Sequence, residues 1–237
     1  MCGRYTLATP LGELVEVFEV GHLALEEWPP RFNIAPTQMA PVIVADGEGE
    51  RRLGAMRWGL VPRWAEDLSI GNRMINARAE TAASKPAFRD AFRRRRCLVP
   101  ADGFYEWRKP ASAKGLKTPF HIHRPAYRPF AMAGLWERWA PEGAEPLHSF
   151  TILTVDAPGW MRGIHHRMPA LLGPDAWEAW MDPGTVAEAA EALLDGAPAA
   201  AGELVAEEVS TLVNRPGNDE AACREPAEGG ERVSADG

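Results

Sequence analysis

The sequence has few cysteines, and none lie in the close pairs that bind zinc. Cys2, Cys97 and Cys223 are an odd number of thiols at wide spacing, which argues against a disulfide framework and against a CxxC-type metal site. Disulfides persist in oxidising compartments, whereas reduced thiols suit the cytoplasm. We therefore expect a cytoplasmic protein without a structural disulfide.

Long apolar runs are also missing. No stretch approaches the roughly 18 apolar residues of a membrane span, and the first residues lack the basic start and apolar core of a signal peptide. A chain of 237 residues with 46% hydrophobic and 25% charged residues is ordinary for a soluble globular protein. No repeat or clear linker divides the chain. We expect one domain over residues 2–226 and a disordered polar tail over residues 227–237.

An overall excess of positive charge is absent, since the formal net charge is −7. The acidity is uneven: residues 184–237 contain 12 acidic and 3 basic residues, whereas residues 1–183 contain 21 acidic and 23 basic residues. Residues 1–183 could therefore form a local phosphate-binding surface, even though the protein as a whole is acidic. The arginine run within residues 89–96 has two readings, a phosphate-binding surface or a helix end where arginines complement the macrodipole.

Hydrophobic periodicity predicts helices over residues 11–18, 80–94, 175–181 and 185–194, with Pro86 at an early turn or a kink. A hairpin is predicted where residues 41–45 meet residues 52–60 through the turn signal Asp46-Gly47. Further strands are predicted at residues 104–108, 119–123, 130–139, 150–155 and 204–212. This pattern favours a single α+β domain with a curved, barrel-like, mostly antiparallel sheet and flanking helices.

The cysteine in second position has unusual chemical potential. If Met1 is removed, Cys2 presents a thiol and a free α-amine on one carbon skeleton, and that amine would titrate near about pH 8. Its nitrogen can condense with an aldehyde to an imine, and its sulfur can then close onto the same carbon to give a thiazolidine. The alternative is a buried or inert cysteine near a frayed terminus.

Three further positions carry groups that transfer protons or donate hydrogen bonds. Asn76 precedes a predicted helix, where its amide either serves a site or satisfies backbone groups. Glu106 lies between two aromatic residues, which would raise its pKa and permit proton transfer near neutrality, unless it faces outward from its strand. His165 and His166 beside Arg167 suggest a general acid or base near an anionic group, although one of them could be a loop residue.

His121 and His123 are the competing metal ligands, but they alternate as on one strand face and have no carboxylate at ligand spacing. We expect neither a metal nor another cofactor. Nine tryptophans are a high count, and most tryptophans pack in cores. Tryptophans beside arginines could instead stack on unpaired bases.

Six segments of the sequence form an ordered set. They are Met1–Arg4, Asn33–Pro36, Trp58–Pro62, Asn76–Thr81, Cys97–Trp107 and His165–Pro169. In this order the chain resembles the SRAP family, the SOS response-associated peptidases, from Cys2 to about Pro226. The number of motifs makes the resemblance specific.

The resemblance implies a protein of DNA damage repair that senses abasic sites in single-stranded DNA. It would shield them by forming a covalent thiazolidine crosslink through its N-terminal cysteine. Matching positions imply an active site of Cys2, Asn76, Glu106 and His165, because the family's functional histidine begins a His-x-Arg pattern. The positions expected to contact the DNA strand are Arg4, Pro36, Trp64, Arg78, Trp107, Thr154 and Arg167.

The implied mechanism assigns one step to each active-site residue. His165 would protonate the ring oxygen of the closed sugar, the Cys2 amine would attack the aldehyde, Glu106 would move protons as water leaves, and Asn76 would orient the amine or a hydroxyl. The expected protein is a monomer, associated with the nucleoid when bound to DNA.

Two alternatives stay open at this point. One is an N-terminal-cysteine hydrolase or peptidase, in which the Cys2 thiolate attacks an amide or ester and His165 is the base. The family name implies that activity, and autoproteolytic or lyase-type activity is a related expectation. The other alternative is a non-covalent module that binds single-stranded DNA through arginines and tryptophans.

Overall fold

The computed structural model describes residues 2–110, 115–143 and 145–235. The strands are β1 (Tyr5–Leu7), β2 (His22–Leu23), β3 (Arg31–Ile34), β4 (Met39–Ala45), β5 (Arg51–Trp58), β6 (Asn76–Arg78), β7 (Arg96–Ala101), β8 (Gly103–Arg108), β9 (Thr118–His123), β10 (Phe130–Trp139), β11 (Leu147–Asp156), β12 (Arg167–Pro169), β13 (Leu171–Leu172), β14 (Val205–Glu208) and β15 (Arg232–Ser234). The helices are α1 (Leu11–Val17), α2 (Ala79–Ala82), α3 (Arg89–Arg94), α4 (Pro174–Met181), α5 (Ala187–Leu194) and α6 (Ala197–Ala200).

Five strands close a mixed barrel. Strand β10 pairs with β7 on one edge and with β11 on the other, and β4 joins β7 to β5. The ring closes where β5 pairs in parallel with β11, and the other pairings in the ring are antiparallel. The predicted α+β domain with a barrel-like, mostly antiparallel sheet is therefore confirmed.

A second sheet, in the order β15-β14-β9-β8-β1-β3, holds the N-terminal strand. Strand β1 lies between β3 and β8, with Tyr5 opposite Phe104 of β8. The buried Tyr5 ring contacts Trp58 of β5 edge to face, with 5.2 Å between ring centroids. Because Tyr5 belongs to the second sheet and Trp58 to the barrel, this contact packs the start of the chain against the barrel.

The predicted hairpin is confirmed in β4 and β5, which pair antiparallel. Asp46 Oδ1 accepts hydrogen bonds from the amides of Glu48 and Glu50, at 2.9 and 3.0 Å. Gly49 takes a positive φ of 85°, a conformation that glycine adopts without strain. The local turn chemistry thus sets the register of the barrel's first two strands.

Two sequence predictions need correction. The helix expected over residues 80–94 is two helices, because the Pro86 nitrogen cannot donate a hydrogen bond and the chain turns between α2 and α3. The tail was expected to be disordered, but Arg232–Ser234 form β15 against β14, supported by an Arg232–Glu207 ion pair at 3.7 Å. Residues 236 and 237 lie outside the described ranges. Within those ranges, none of the helices has the length and apolar character needed to cross a membrane.

Candidate active site

Cys2 lies three residues before the first residue of β1 and is fully buried. The Tyr105 amide donates to the Arg4 carbonyl at 2.9 Å, so β8 fixes the backbone that follows Cys2. The Cys2 thiol donates to the same Arg4 carbonyl at 3.5 Å. Burial raises the pKa of this thiol well above its ordinary value, and the nearby charge of Glu106 raises it further. The sulfur is therefore a protonated thiol at neutral pH.

Asn76 reaches Cys2 from the barrel. It begins β6, which pairs in parallel with β11 and sets Asn76 opposite Ile152. The Asn76 Nδ2 donates to the Cys2 carbonyl oxygen at 2.7 Å. Its Oδ1 is buried and accepts no hydrogen bond from the described part of the chain, so an acceptor faces this region.

Glu106 is the buried carboxyl of the site. It lies in the middle of β8, opposite Phe120 of β9, and only 2% of its surface is exposed. Burial raises the pKa of Glu106 to about 7, from 4.5 in an exposed carboxyl. The predicted rise in this pKa is confirmed, but its cause is the burial of Glu106 itself, because Tyr105 and Trp107 point to the opposite face of β8 and pack together in a separate cluster.

His165 completes the group from the loop before β12. Its Nδ1 lies 3.8 Å from Glu106 Oε1 and 3.0 Å from both the amide nitrogen and the carbonyl oxygen of Arg167. The tautomer that accepts the amide hydrogen at Nδ1 carries its proton on Nε2, and the other tautomer donates from Nδ1 to the carbonyl. Burial lowers the pKa of His165 to about 4, so the ring is neutral at pH 7. The His166 ring stacks on it with 4.6 Å between centroids.

The structure thus brings together all four residues expected in the active site. Asn76 contacts the Cys2 backbone, the Glu106 charge acts on the Cys2 thiol, and the His165 ring lies beside the Glu106 carboxyl. The predicted removal of Met1 concerns a residue outside the described ranges.

Two of the residues expected to contact DNA are buried. Thr154 has no exposed surface, because β11 lies between β6 and β12 at that position. Arg167 is 5% exposed and donates to Glu80, to Asp156 and to the Thr154 carbonyl. Neither side chain is open to a passing strand in this structure, so the direct contact expected for each is not available. Their hydrogen bonds instead join β11, β12 and α2.

Arg4 and Trp107 are partly buried and contact the chain segment after β14. Arg4 Nη1 donates to the Val213 carbonyl at 2.8 Å and to Asn33 Oδ1 at 3.2 Å. Trp107 Nε1 donates to Asn214 Oδ1 at 2.7 Å. Sequence reasoning did not identify the supporting roles of Asn33 and Asn214. The motif Asn33–Pro36 was a sequence signal for Asn33, and no motif included Asn214.

Three predicted DNA contacts remain at or near the surface. Trp64 is 60% exposed, Arg78 is exposed at the end of β6, and Pro36 is half-buried after β3. Arg78 lies next to Thr154 in the β6–β11 pairing, close in sequence to Asn76. An exposed cation therefore adjoins the active-site cluster.

His121 and His123 belong to a separate buried cluster. His121 Nε2 is 3.1 Å from Thr6 Oγ1, and His123 Nε2 is 3.0 Å from Glu207 Oε2. The two rings stack with 5.0 Å between centroids. Among the residues that the structure describes, no three His, Cys, Asp or Glu side chains form a group that could hold a metal ion.

Residues 1–216 match the family described as SOS response associated peptidase (SRAP). The chain belongs to the SRAP family. It is 41% identical to abasic site processing protein YoaM of Bacillus subtilis strain 168, over 93% of this chain and 96% of that protein. It is 35% identical to abasic site processing protein HMCES of Gallus gallus, over 84% of this chain and 67% of that protein. A crystal structure of a Bacteroides thetaiotaomicron protein shares this SRAP chain's fold, with a TM-score of 0.82, 22% identity and coverage of 96% and 100% of the two chains.

Proposed function

We propose that this SRAP-family protein captures abasic sites in single-stranded DNA as a covalent thiazolidine adduct of Cys2. Relatives named abasic site processing proteins support DNA with abasic sites as the substrate. The observation that carries the proposal is the Asn76 bond to the Cys2 carbonyl beside a buried carboxyl whose pKa is about 7. A residue that offers an amine and a thiol then has an orienting amide and a proton donor within one site.

The reaction begins with opening of the closed sugar. An abasic sugar presents an aldehyde only in its open form, so its ring oxygen must gain a proton as the ring bond breaks. His165 is neutral at pH 7, and in the tautomer that carries its proton on Nε2 it polarises that oxygen by a hydrogen bond. The Glu106 carboxyl beside the ring supplies the proton that the ring oxygen takes up, and the resulting carboxylate accepts the proton that the anomeric hydroxyl loses as the aldehyde C=O forms.

The Cys2 amine then adds to the aldehyde carbon to give a carbinolamine. Loss of water requires a proton on the departing hydroxyl, and Glu106 can donate one because its pKa of about 7 keeps much of it protonated. The nitrogen lone pair forms an iminium as the water departs, and the Glu106 carboxylate takes the N–H proton to leave the neutral imine. The Asn76 bond to the Cys2 carbonyl holds this residue in place during both steps.

The Cys2 sulfur closes the ring. The S–H adds across the imine, so that a carbon–sulfur bond forms and the thiol proton passes to the nitrogen. A thiol whose pKa is raised by burial stays protonated until this step. The product contains the DNA and the protein minus one water, and it no longer has the aldehyde that would permit β-elimination.

The strand would reach the site across exposed residues. Arg78 can bind a phosphate beside the lesion, and Trp64 can stack on a base. Arg4 and Trp107 keep partial exposure, so they can contact the strand while the segment after β14 holds them. Thr154 and Arg167 support this surface from beneath.

Hydrolysis by a Cys2 thiolate is the less favoured activity. A nucleophilic thiolate needs a lowered pKa, whereas burial and the Glu106 charge raise the pKa of this thiol. His165, with a pKa of about 4, is also a weak base for thiol deprotonation at pH 7. Ring closure needs no free thiolate, because the imine nitrogen takes up the thiol proton as the carbon–sulfur bond forms.

Intact mass spectrometry tests the proposal. The protein without Met1, incubated with an abasic single-stranded oligonucleotide, should gain the mass of the oligonucleotide minus one water. Cys97→Ala and Cys223→Ala should form the same adduct, whereas Cys2→Ala should form no stable adduct. Cys2→Ala and Cys2→Ser both keep the α-amine, so each should yield an adduct only after borohydride reduction of the imine. A stable adduct of Cys2→Ala, or salt-reversible binding alone, would contradict the proposal.

A further inference from the structure

A hollow on the protein surface is lined mainly by arginines. Its lining comprises Arg63, Asp90, Arg93, Arg94 and Arg95. Arg63 lies in the loop between β5 and β6, whereas the other four lie in or directly after α3. Two segments distant in sequence therefore contribute cations to one concave surface.

Two members of the arginine run have structural partners. Arg96 is 2% exposed and donates to the carbonyls of Phe92 at 2.6 Å and Trp180 at 2.5 Å, which end α3 and α4. Arg95 forms an ion pair with the buried Glu137 at 2.8 Å. The reading of the run as a helix end thus applies to Arg96, and Arg95 is neutralised by a carboxylate.

The remaining arginines face solvent. Arg93 and Arg94 are exposed, and no ion pair within the described residues involves either of them. The Arg63 side chain is 69% exposed, and its Nε lies 4.0 Å from Glu137, which Arg95 already pairs. Within the described part of the chain, the hollow has four arginines but only two nearby carboxylates, Asp90 and Glu137. It therefore has excess positive charge, although the net charge of the whole protein is −7.

The hollow lies within reach of DNA that occupies the active site. Glu137 is paired with Ser149 on β11, and Asn76 is paired with Ile152 on the same strand. Three residues of a strand span about 10 Å, and the two partner strands lie on opposite edges of β11. Trp139 Nε1 donates to the Ala65 carbonyl at 2.8 Å, which fixes the loop carrying Arg63 and Trp64 against β10.

We infer that Arg63, Arg93 and Arg94 form a second phosphate-binding surface, which holds the DNA backbone several nucleotides away from the captured sugar. Guanidinium groups pair with phosphate oxygens in bidentate fashion, and each phosphate contact releases counterions from the DNA. The exposed Trp64 next to Arg63 adds an apolar face between the two sites. The inference rests on the proposed capture of abasic DNA, and it assigns this surface a role in affinity and none in the chemical step.

The double variant Arg93→Gln with Arg94→Gln tests this surface, and Arg52→Gln with Arg128→Gln removes the same charge from exposed positions elsewhere. Capture rates at limiting protein are measured on three abasic substrates over a range of salt. The first is a strand of about three nucleotides with the lesion in the middle, so that at about 3.4 Å per nucleotide it ends well short of the hollow on either side. The others are a long single strand and the same strand with duplex flanking a single-stranded lesion.

The hollow variant should capture the short strand at the rate of the unaltered protein and the longer substrates severalfold more slowly. For this variant, the slope of log capture rate against log salt concentration should become shallower. The change should be about 0.7 for each lost phosphate contact on a single strand, or about 0.9 on duplex. A defect confined to the duplex-flanked substrate assigns the surface to duplex phosphates, and a defect on both long substrates assigns it to the strand. Equal rates for the hollow and control variants on every substrate would overturn the inference. Absence of any adduct from the unaltered protein would instead refute the proposed function.

Discussion

The side-chain amide of Asn76 donates a hydrogen bond of 2.7 Å to the backbone carbonyl of Cys2. This bond joins β6, at the edge of the barrel, to the short segment that leads into β1 of the second sheet. It fixes the carbonyl of Cys2, which restricts the direction in which the amine of the same residue can point. In the proposed reaction, Asn76 therefore orients the amine of Cys2 through the Cys2 backbone.

Replacement of Asn76 should slow adduct formation more than it weakens DNA binding. Asn76→Ala removes one hydrogen bond worth about 1.4 kcal/mol, which corresponds to about a tenfold loss of rate if it acts on the transition state. Asn76→Asp should be slower still, because a carboxylate oxygen replaces the donor and repels the Cys2 carbonyl. Single-turnover capture rates and equilibrium binding to an undamaged strand check this. Equal losses in rate and affinity would contradict an orienting role.

Ionisation of Glu106 should make the folded protein less stable as pH rises. Burial raises the pKa of this carboxyl from 4.5 to about 7, so its stabilising contribution is complete below about pH 4.5 and is lost as pH rises through about 7. Glu106→Gln cannot ionise. Its free energy of unfolding relative to the unaltered protein should rise by about 2–3 kcal/mol between pH 5 and pH 8.

Urea unfolding of both proteins at the two pH values measures this difference. Glu48→Gln, at an exposed turn position, controls for the loss of one negative charge. The capture rate should also fall above about pH 7 in the unaltered protein, since the protonated carboxyl is the proton donor. This fall in the capture rate should be absent from Glu106→Gln, whose capture rate is low at every pH. A gap in unfolding free energy that does not change with pH would show that Glu106 is not a buried titrating group.

The parts of the fold that depend on neighbouring residues were predictable from the sequence. The turn after Asp46 acts locally, and the hairpin that it predicts is confirmed. The raised pKa of Glu106 is also confirmed, but it comes from burial on one face of β8, whereas the adjacent aromatic residues lie on the opposite face. Closure of the barrel was not predictable in detail. It depends on two residue pairs, Arg57 with Ser149 and Trp58 with Phe150, which are about ninety positions apart in the sequence and carry no local signal.

The family motifs located the active-site residues, but they could not show which residues are exposed. Arg167 follows a histidine in a motif, and an arginine there is compatible with either a phosphate contact or an internal ion pair. Burial beneath Glu80 and Asp156 distinguishes these readings, and it arises from the packing of α2 and β11 on β12. The arginine run behaves in the same way, since only Arg96 turns inward to the helix ends.

Arg167 should contribute more to stability than the exposed Arg78. Arg167→Met would remove its ion pairs with Glu80 and Asp156, both at 2.6 Å, and its bond to the Thr154 carbonyl. Removal of one partner from a buried ion pair reduces the free energy of unfolding by about 3–5 kcal/mol. Because the Glu80 and Asp156 carboxylates are both exposed, we expect Arg167→Met to cost no more than the lower end of this range. Arg78→Met should change the free energy of unfolding by less than about 0.5 kcal/mol. Urea unfolding compares the two variants, and equal costs would argue against a structural role for Arg167.

Two glycine substitutions should have opposite effects on stability. A Cβ added at Gly103 would lie 2.7 Å from His121 Cε1 and 2.9 Å from the Ile122 carbonyl, whereas one added at Gly12 in α1 would meet nothing within 4 Å. The fully buried His121 cannot move away without losing its Thr6 contact. Gly103→Ala should therefore reduce the free energy of unfolding by about 1–3 kcal/mol through overpacking, and Gly12→Ala should raise it by about 0.5–1 kcal/mol.

The two variants should also differ in DNA capture. Gly103 pairs with Thr6 of β1 and begins β8, the strand that carries Glu106. A shift of β8 at Gly103 would change the position of the Glu106 carboxyl relative to Cys2, so Gly103→Ala should slow adduct formation even under conditions in which it stays folded. Gly12→Ala should capture DNA at the normal rate. Circular dichroism would establish folding before single-turnover capture is measured. A folded Gly103→Ala protein with an unchanged rate would show that the geometry of the site does not depend on the β1–β8 pairing.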